Sequence, residues 1–226
     1  MEQNDLSVWK RSKLFSGIDE KELGAMISCL SAERKKYKKG EYILRNGDSS
    51  GSIGLVTAGS ADVIKEDYWG NRNIVAAIPP GETFAESYAC AGGVPLGVSV
   101  QASQGSEILL MNIQKILTTC SSACAFHVRL IRNLVSLLAS KNLMMNEKLT
   151  YLSQRSTREK LLSYLSAESM RQHASAFSIP FDRQQLADYL SVDRSAMSNE
   201  LSKMRKEGIL QYEKNHFVLL QSMNLE

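Results

Sequence analysis

The stretch Pro180–Gly208, PFDRQQLADYLSVDRSAMSNELSKMRKEG, decides how the C-terminal part of this chain folds. Asp182, followed three residues later by Gln185, has the pattern of a capping box and predicts the start of a helix. Ser191–Val192 supplies a tight turn, and Asp193 is suited to cap a second helix. The stretch therefore predicts two short helices joined by a tight turn.

The second predicted helix has one apolar face and one polar face. Met197, Leu201 and Met204 recur at helical spacing, and Gly208 is placed to end the helix. The opposite face carries small hydrogen-bonding side chains, which is typical of the helix that a helix-turn-helix inserts into the DNA major groove. An ordinary helical hairpin with a solvated polar face is the alternative. The residues predicted to contact DNA are Arg183, Arg194, Ser195, Ser198, Asn199, Ser202, Lys203 and Lys206, with Arg194, Ser195, Ser198 and Asn199 reading bases.

The residues that follow favour DNA binding over a plain helical hairpin. Ile209–Tyr212 and His216–Leu220 are short strand-forming runs on either side of Glu213–Asn215, which is the pattern of a β-hairpin. Two helices and a hairpin together make a winged helix. A nucleotide-binding regulatory protein without DNA binding is thereby a less favoured alternative.

Composition restricts the function further. The 226 residues are 43% hydrophobic and carry a net charge of only +3, so DNA binding would depend on a local basic patch of Lys203, Arg205 and Lys206. The N-terminal residues lack the apolar core of a signal peptide, and no run of about 18 apolar residues is present. We therefore expect a cytoplasmic protein without membrane association and with reduced cysteines. None of the three histidines lies in the strand-rich region, so we expect no enzyme of the jelly-roll metal class.

Three regions precede the winged helix. Residues 5–38 are predicted to be helical, including the charge cluster Glu33–Lys39. Between Gly40 and Asn112, short β-rich runs alternate with glycine turns, which predicts a small β-barrel or jelly roll. The predicted domains are therefore a β-barrel domain with N-terminal helices over 1–112, a long helix over 113–152 and a DNA-binding domain over 153–226.

The predicted long helix, Ile113 to Leu152, carries two apolar stripes and therefore needs two partners. One stripe is expected to cover the barrel and the other to pair with a second subunit. Complete burial within one subunit is the alternative. The residues assigned to dimerisation are Leu130, Leu134, Leu137, Leu138, Met144 and Met145.

The order of these elements resembles the CRP/FNR family of bacterial transcription regulators. The resemblance implies an α+β protein with an N-terminal jelly-roll domain of the cyclic-nucleotide-binding type, a long dimerisation helix and a C-terminal winged helix-turn-helix. It also implies a homodimer on two-fold symmetric double-stranded DNA, an effector sensed by the barrel, and contact with RNA polymerase if the protein is an activator. The residues that carry the resemblance are Gly40-Glu41, Gly47-Asp48, Gly59, Pro80-Gly81-Glu82, Phe84-Ala85-Glu86, Thr157 to Leu162 and Arg183 to Gly208.

The effector pocket that the resemblance implies departs from that of the cyclic-AMP binders. Their phosphate is held by an adjacent Arg-Ser pair, where this chain has Leu96-Gly97. Glu86 matches the ribose-contacting glutamate, but Ala85 replaces the preceding glycine. Without a guanidinium partner the phosphate loses its main contact, so cyclic AMP is not expected to bind. The pocket is assigned to Phe84, Ala85, Glu86, Ser87, Cys90, Leu96, Gly97 and Val98, and its effector is left unidentified.

Thiols and one histidine raise the question of a metal or redox sensor. The N-terminal cysteine group of the iron–sulfur branch is not found, because no cysteine precedes Cys29. Cys120, Cys124 and His127 would share one helix face and could bind zinc or haem iron, but the same spacing fits buried packing residues, which we favour. Cys90 is a candidate thiol sensor or a small pocket-lining residue. We therefore expect no metal and no bound cofactor.

Overall fold

A computed structural model describes residues 8–118 and 125–220, which fall into two compact units, Met1–Ser140 and Lys141–Glu226. The predicted α+β class is confirmed, as is the order of a β domain, a long helix and a helix-turn-helix. The observed division lies inside the long helix, which was predicted to be a separate region.

The β domain consists of two four-stranded antiparallel sheets, as the alternation of β-rich runs and glycine turns predicts. The strand orders are β1-β8-β3-β6 and β2-β7-β4-β5. Gly59 makes the turn between β3 and β4 with φ +76°, and a Cβ there would lie 2.3 Å from the carbonyl oxygen of Gly105, so only glycine fits. The strands are β1 Glu33–Tyr37, β2 Tyr42–Leu44, β3 Ser52–Ala58, β4 Ala61–Glu66, β5 Arg72–Ile78, β6 Thr83–Phe84, β7 Ser99–Ala102 and β8 Ser106–Asn112.

The N-terminal segment is only partly helical, which corrects the prediction of helix over 5–38. A 3-10 turn spans Lys13–Phe15 and helix α1 spans Glu20–Cys29, but the charge cluster forms edge strand β1. The cause is non-local, because Lys36 of β1 pairs in register with Glu107 of β8, and their side chains form an ion pair at 2.8 Å. A local charge pattern carries no information about that distant strand.

The predicted helix Ile113–Leu152 is interrupted. Helix α2 spans Glu86–Ala91, α3 spans Ile113–Leu117 and α4 spans Ala125–Leu152, while Thr118 has extended backbone. One apolar stripe of α4 covers the core of the first unit, as expected. Its members Leu130 and Leu134 are buried in that core and Leu137 is also buried, so these three are not surface residues available to a second subunit, and their assignment to dimerisation is corrected.

The C-terminal unit is a three-helix arrangement with a three-stranded sheet of order β10-β11-β9. Ser156 and Glu159 form a capping box at the start of its first helix. Leucine, methionine and aromatic side chains form one core between the helices and the sheet. The elements are α5 Thr157–Gln172, β9 Ala176–Ser178, α6 Arg183–Leu190, α7 Arg194–Lys206, β10 Leu210–Glu213 and β11 His216–Leu219.

Candidate nucleic-acid interface and sensor pocket

The caps predicted for the two helices of the helix-turn-helix are formed. Asp182 Oδ1 accepts from the backbone N–H of Gln185 at 2.8 Å, and Gln185 Oε1 accepts from the N–H of Asp182 at 2.9 Å. Asp193 Oδ1 accepts from the N–H of Ala196 at 2.8 Å. Ser191, in the left-handed conformation, ends α6 and turns the chain. These local contacts fix where α7 begins.

Helix α7 presents its polar face to solvent because its apolar face is fully buried. Met197, Leu201 and Met204 lie in the core of the C-terminal unit, as predicted. Several polar and basic side chains of α7 are exposed. They are Arg194, Ser195, Asn199, Lys203, Arg205 and Lys206.

Two predicted DNA-contacting serines are half-buried and already hydrogen-bonded. Ser198 Oγ donates to the carbonyl of Arg194 at 2.9 Å, and Ser202 Oγ donates to the carbonyl of Ser198 at 3.0 Å. Ser202 Oγ also lies 3.4 Å from the hydroxyl of Tyr212 in β10. Ser202 therefore sits where α7 meets the wing, while Ser198 lies nearer the first turn of the helix.

Arg183 lies between the helix-turn-helix and the wing rather than on the face of α7. Its guanidinium carbon is 4.7 Å from the centre of the Tyr212 ring and 5.0 Å from that of Phe217. Burial lowers the pKa of this guanidinium, and its Nη2 has no hydrogen-bond partner among the residues that the structure describes. This stacking packs the start of α6 against the wing, which is the hairpin of β10 and β11, and places a positive charge there.

The acidic side chains of the α7 region are paired, which leaves its exposed face basic. Arg158 of α5 lies 3.3 Å from Glu200 and also forms an ion pair with Glu207, while Lys203 lies 3.5 Å from Glu200. The hydrogen bond from Arg158 lowers the pKa of Glu207, so its carboxylate stays ionised and paired at neutral pH. Lys206 is then an exposed cation of α7 whose field is little opposed by these acids.

In the β domain, the predicted effector residues surround the β6–α2 turn. Phe84 packs its ring against Gly54, where a Cβ would lie 2.0 Å from Cζ of that ring. Ala85 has φ 62°, a left-handed conformation that glycine adopts more readily. Glu86 is buried, and its carboxylate accepts a hydrogen bond from Thr83 Oγ1 at 3.3 Å. Ser87 is exposed and Val98 is partly exposed.

The two positions that align with the phosphate-binding Arg-Ser pair of the cyclic-AMP binders form hydrogen bonds within this chain. Leu96 is 2% exposed, its N–H donates to the carbonyl of Asp48, and its carbonyl accepts from the N–H of Gly47. The N–H of Gly97 donates to the hydroxyl of Tyr88 at 3.2 Å. The side chain of Leu96 is therefore buried, and the N–H of Gly97 is already hydrogen-bonded to Tyr88.

The thiols differ in their surroundings. Cys90 packs against the core of the first unit, and burial together with the charge of Glu86 raises the pKa of its thiol. Cys120 and Cys124 lie outside the described residues. His127 is buried, and its Nε2 lies 3.9 Å from Sγ of Cys29, a residue that was not predicted to belong to a site. No cluster of three or more metal-ligating side chains occurs over residues 8–118 and 125–220.

Comparison with known proteins places both halves of the chain. A cyclic nucleotide-binding domain model matches residues 34–123, and a Crp-like helix-turn-helix model matches residues 159–226, so together they cover more than half of the chain. The chain belongs to the CRP/FNR family of transcription regulators. A curated relative, the cyclic AMP receptor protein of Thermus thermophilus, is 25% identical over 202 residues, which are 89% of each chain. The protein is accordingly a DNA-binding regulator of the CRP/FNR type.

Solved structures show the same fold. The Thermus thermophilus catabolite activator protein matches with a TM-score of 0.54 and 23% identity, covering 92% of this chain and 93% of that one. The c-di-GMP responsive regulator CLP of Xanthomonas campestris matches with a TM-score of 0.52 and 18% identity, covering 88% and 100%. At these identities the likeness establishes the CRP/FNR architecture alone. Within the described ranges, no helix is long and apolar enough to cross a membrane.

Proposed function

We propose that this CRP/FNR regulator is a homodimer that reads a two-fold symmetric operator with α7 and responds to a signal other than a cyclic nucleotide. The observation that carries the proposal is the exposed basic and polar face of α7, set by the burial of its opposite stripe and by the pairing of its acids. In an activator, the same dimer would contact RNA polymerase.

Base reading is assigned to the first two turns of α7. Arg194, Ser195 and Asn199 are exposed there, and arginine and asparagine form bidentate hydrogen bonds with guanine and adenine edges. Ser198, half-buried beside them, can exchange its helix carbonyl for a base acceptor. Lys203, Lys206 and the wing-stacked Arg183 suit phosphates, and Ser202 suits a role at the wing.

Dimerisation is assigned to the exposed side of α4. Val135 is 60% exposed, Met145 66% and Leu149 61%, although all three are apolar and lie on one helix. An apolar stripe left in solvent on a 28-residue helix is what a parallel coiled coil covers. Because its members alternate every three and four residues, we assign the seam to Val128, Ile131, Val135, Leu138, Asn142, Met145, Leu149 and Leu152.

The sensor pocket is proposed not to take cyclic AMP. Leu96 offers no charge to a phosphate, and the amide of Gly97 is satisfied by Tyr88. A cyclic phosphate would have to displace that hydroxyl and would gain no guanidinium in return. We propose no bound cofactor, and the small effector stays unidentified.

Selection of sites from random duplex DNA tests the proposed function. We expect an enriched motif with two-fold symmetry and half-sites about 34–36 Å apart, bound by a species of twice the chain mass. Enrichment of an asymmetric motif, or binding to all duplexes with equal affinity, would contradict it.

Titration calorimetry with cyclic AMP tests the pocket separately. We expect no saturable heat of binding. A thermal melt with cyclic AMP should also show no rise in melting temperature, whereas a ligand that bound the folded state would raise it. Saturable binding in the micromolar range would show that another cation replaces the arginine at this pocket.

A further inference from the structure

A thiol and an imidazole meet where α1 contacts the start of α4. Sγ of Cys29 lies 3.9 Å from Nε2 of His127, although 98 residues separate them in the chain. Both belong to the first compact unit. The distance is at the long end of hydrogen bonds to sulfur, and it is short enough for proton exchange after a small rotation of the thiol.

His127 is buried, and one of its two ring nitrogens lacks a hydrogen-bond partner among the described residues. Its side chain is 1% exposed, and its ring lies 4.8 Å from that of Phe126, centre to centre. Nδ1 has no hydrogen-bond partner among the described residues, which costs free energy in an apolar surrounding. The nitrogen that does have a polar neighbour is the one that faces Cys29. A buried imidazole aimed at a thiol is the arrangement that activates cysteine nucleophiles.

We propose that Cys29 is a peroxide-reactive thiol and that His127 is its proton partner. The thiol proton moves to Nε2, and the resulting thiolate attacks one oxygen of hydrogen peroxide. An S–O bond forms as the O–O bond breaks, and the departing hydroxide takes the proton from the imidazolium to become water. Sulfur loses two electrons, peroxide gains them, and the products are the Cys29 sulfenic acid, neutral His127 and water.

Cys90 is a matched comparison within the same unit. Like Cys29 it is a reduced, partly buried cysteine, but its charged neighbour is the carboxylate of Glu86. Burial and that carboxylate raise the pKa of the Cys90 thiol, which disfavours the reactive thiolate. An imidazole therefore stands beside Cys29, whereas a carboxylate stands near Cys90.

Oxidation at this position would reach the proposed signal path. The added oxygen must fit at the contact between α1 and the first turns of α4, the helix to which dimerisation is assigned. This regulatory consequence rests on the proposed function, whereas the reaction with peroxide does not.

The experiment measures the chemistry on the full chain without DNA. Reduced protein is treated with hydrogen peroxide, and differential alkylation with peptide mass spectrometry then follows the oxidised fraction of each of the four cysteines. We expect Cys29 to oxidise at least about tenfold faster than Cys90. Equal rates at the two cysteines, or first oxidation at Cys120 or Cys124, would overturn the proposal.

Variants separate activation from simple exposure. His127→Gln should slow oxidation of Cys29 by about tenfold while leaving the Cys90 rate unchanged, and Cys90→Ser should leave the Cys29 rate as in the wild type. An unchanged Cys29 rate in folded His127→Gln would overturn the role of His127. Stoichiometric metal in the purified wild type that is lost in Cys29→Ser would also overturn it. If DNA selection fails while Cys29 reacts as expected, the proposed function is wrong and the thiol assignment stands.

Discussion

The guanidinium of Arg158 in α5 lies 3.3 Å from the carboxylate of Glu200 in the middle of α7. The side chain of Glu200 is mostly buried, and the same guanidinium also pairs with Glu207 just beyond the end of α7. One guanidinium therefore forms ion pairs with two acids, one within α7 and one just beyond its end. The basic character of the outer face depends on this arrangement as much as on the lysines themselves.

Replacing Arg158 with glutamine should weaken DNA binding and lower thermal stability at neutral pH. Glu207 would lose its ion pair and Glu200 would keep only its contact with Lys203, and the field of these carboxylates would repel phosphate, so we expect affinity to fall about threefold or more for all sequences. Anisotropy titrations with specific and non-specific duplexes measure the effect. Lys115→Gln, which removes a positive charge in the β domain, is the matched control, and equal losses in the two variants would contradict the local explanation.

The stability difference between wild type and Arg158→Gln should depend on pH. The folded-state pKa of Glu207 lies below its ordinary value of 4.5, chiefly because Arg158 donates a hydrogen bond to it. The stabilisation is therefore fully present above that ordinary value and is lost as pH falls through the lower, folded-state pKa. Melting temperatures of the two proteins should converge as pH falls below the ordinary value of 4.5 and through the lower, folded-state pKa. A difference that stays constant over this range would exclude the ion pair as its source.

Asn199→Ala should reduce specific affinity by about 1–3 kcal/mol and relax the preference at one base pair in each half-site. The physical reason is the loss of a bidentate amide contact, which favours adenine. Site selection with the variant gives the result directly. An unchanged motif and affinity would remove Asn199 from base recognition.

Lys206→Ala should weaken binding to all duplexes similarly and reduce the slope of log affinity against log salt by about one. Lys206 is exposed at the end of α7, and we expect it to contact a phosphate and not a base edge. Titrations at several salt concentrations, with a selected and a scrambled duplex, measure both quantities. A change in the selected motif would contradict a phosphate contact.

Leu149→Lys should shift the protein from dimer to monomer at micromolar concentration. The substitution places a charge in the seam assigned to α4. Because Leu149 is exposed in a single chain, we expect its replacement to have little effect on the stability of the monomer. Ser140→Lys is the control, since nine residues at about 100° each place it on the opposite side of the helix. Sedimentation equilibrium distinguishes the two. A monomeric wild type would contradict the dimer itself.

Features set by neighbouring residues are those that sequence predicts well. The caps at Asp182 and Asp193 and the buried stripe Met197, Leu201 and Met204 follow from contacts within one or two helical turns, and all are observed. The β-rich runs were located for a similar reason, since each glycine turn marks the end of a strand.

Features that depend on distant partners were missed. Strand β1 reads locally as a charged helix surface and is a strand because β8 pairs with it. Leu134 belongs to a stripe that suits either a seam or a core, and only the packed fold assigns it to the core. Arg183 resembles a phosphate ligand in sequence, but the wing rings over which it stacks come later in the chain. The contact of Cys29 with His127 has no local signal at all.

Asn142 would influence which subunits pair with this chain in the proposed dimer. It lies in the exposed apolar stripe of α4, where the neighbouring members are valine, leucine and methionine. An amide in a coiled-coil seam is tolerated when the facing helix offers another amide at the same level, and it penalises a purely aliphatic partner. In a cell that makes several regulators of this architecture, Asn142 would therefore disfavour heterodimers with subunits that carry an aliphatic residue at the facing position. In the proposed dimer, Asn142 would favour pairing with a second copy of this chain, at some loss of stability.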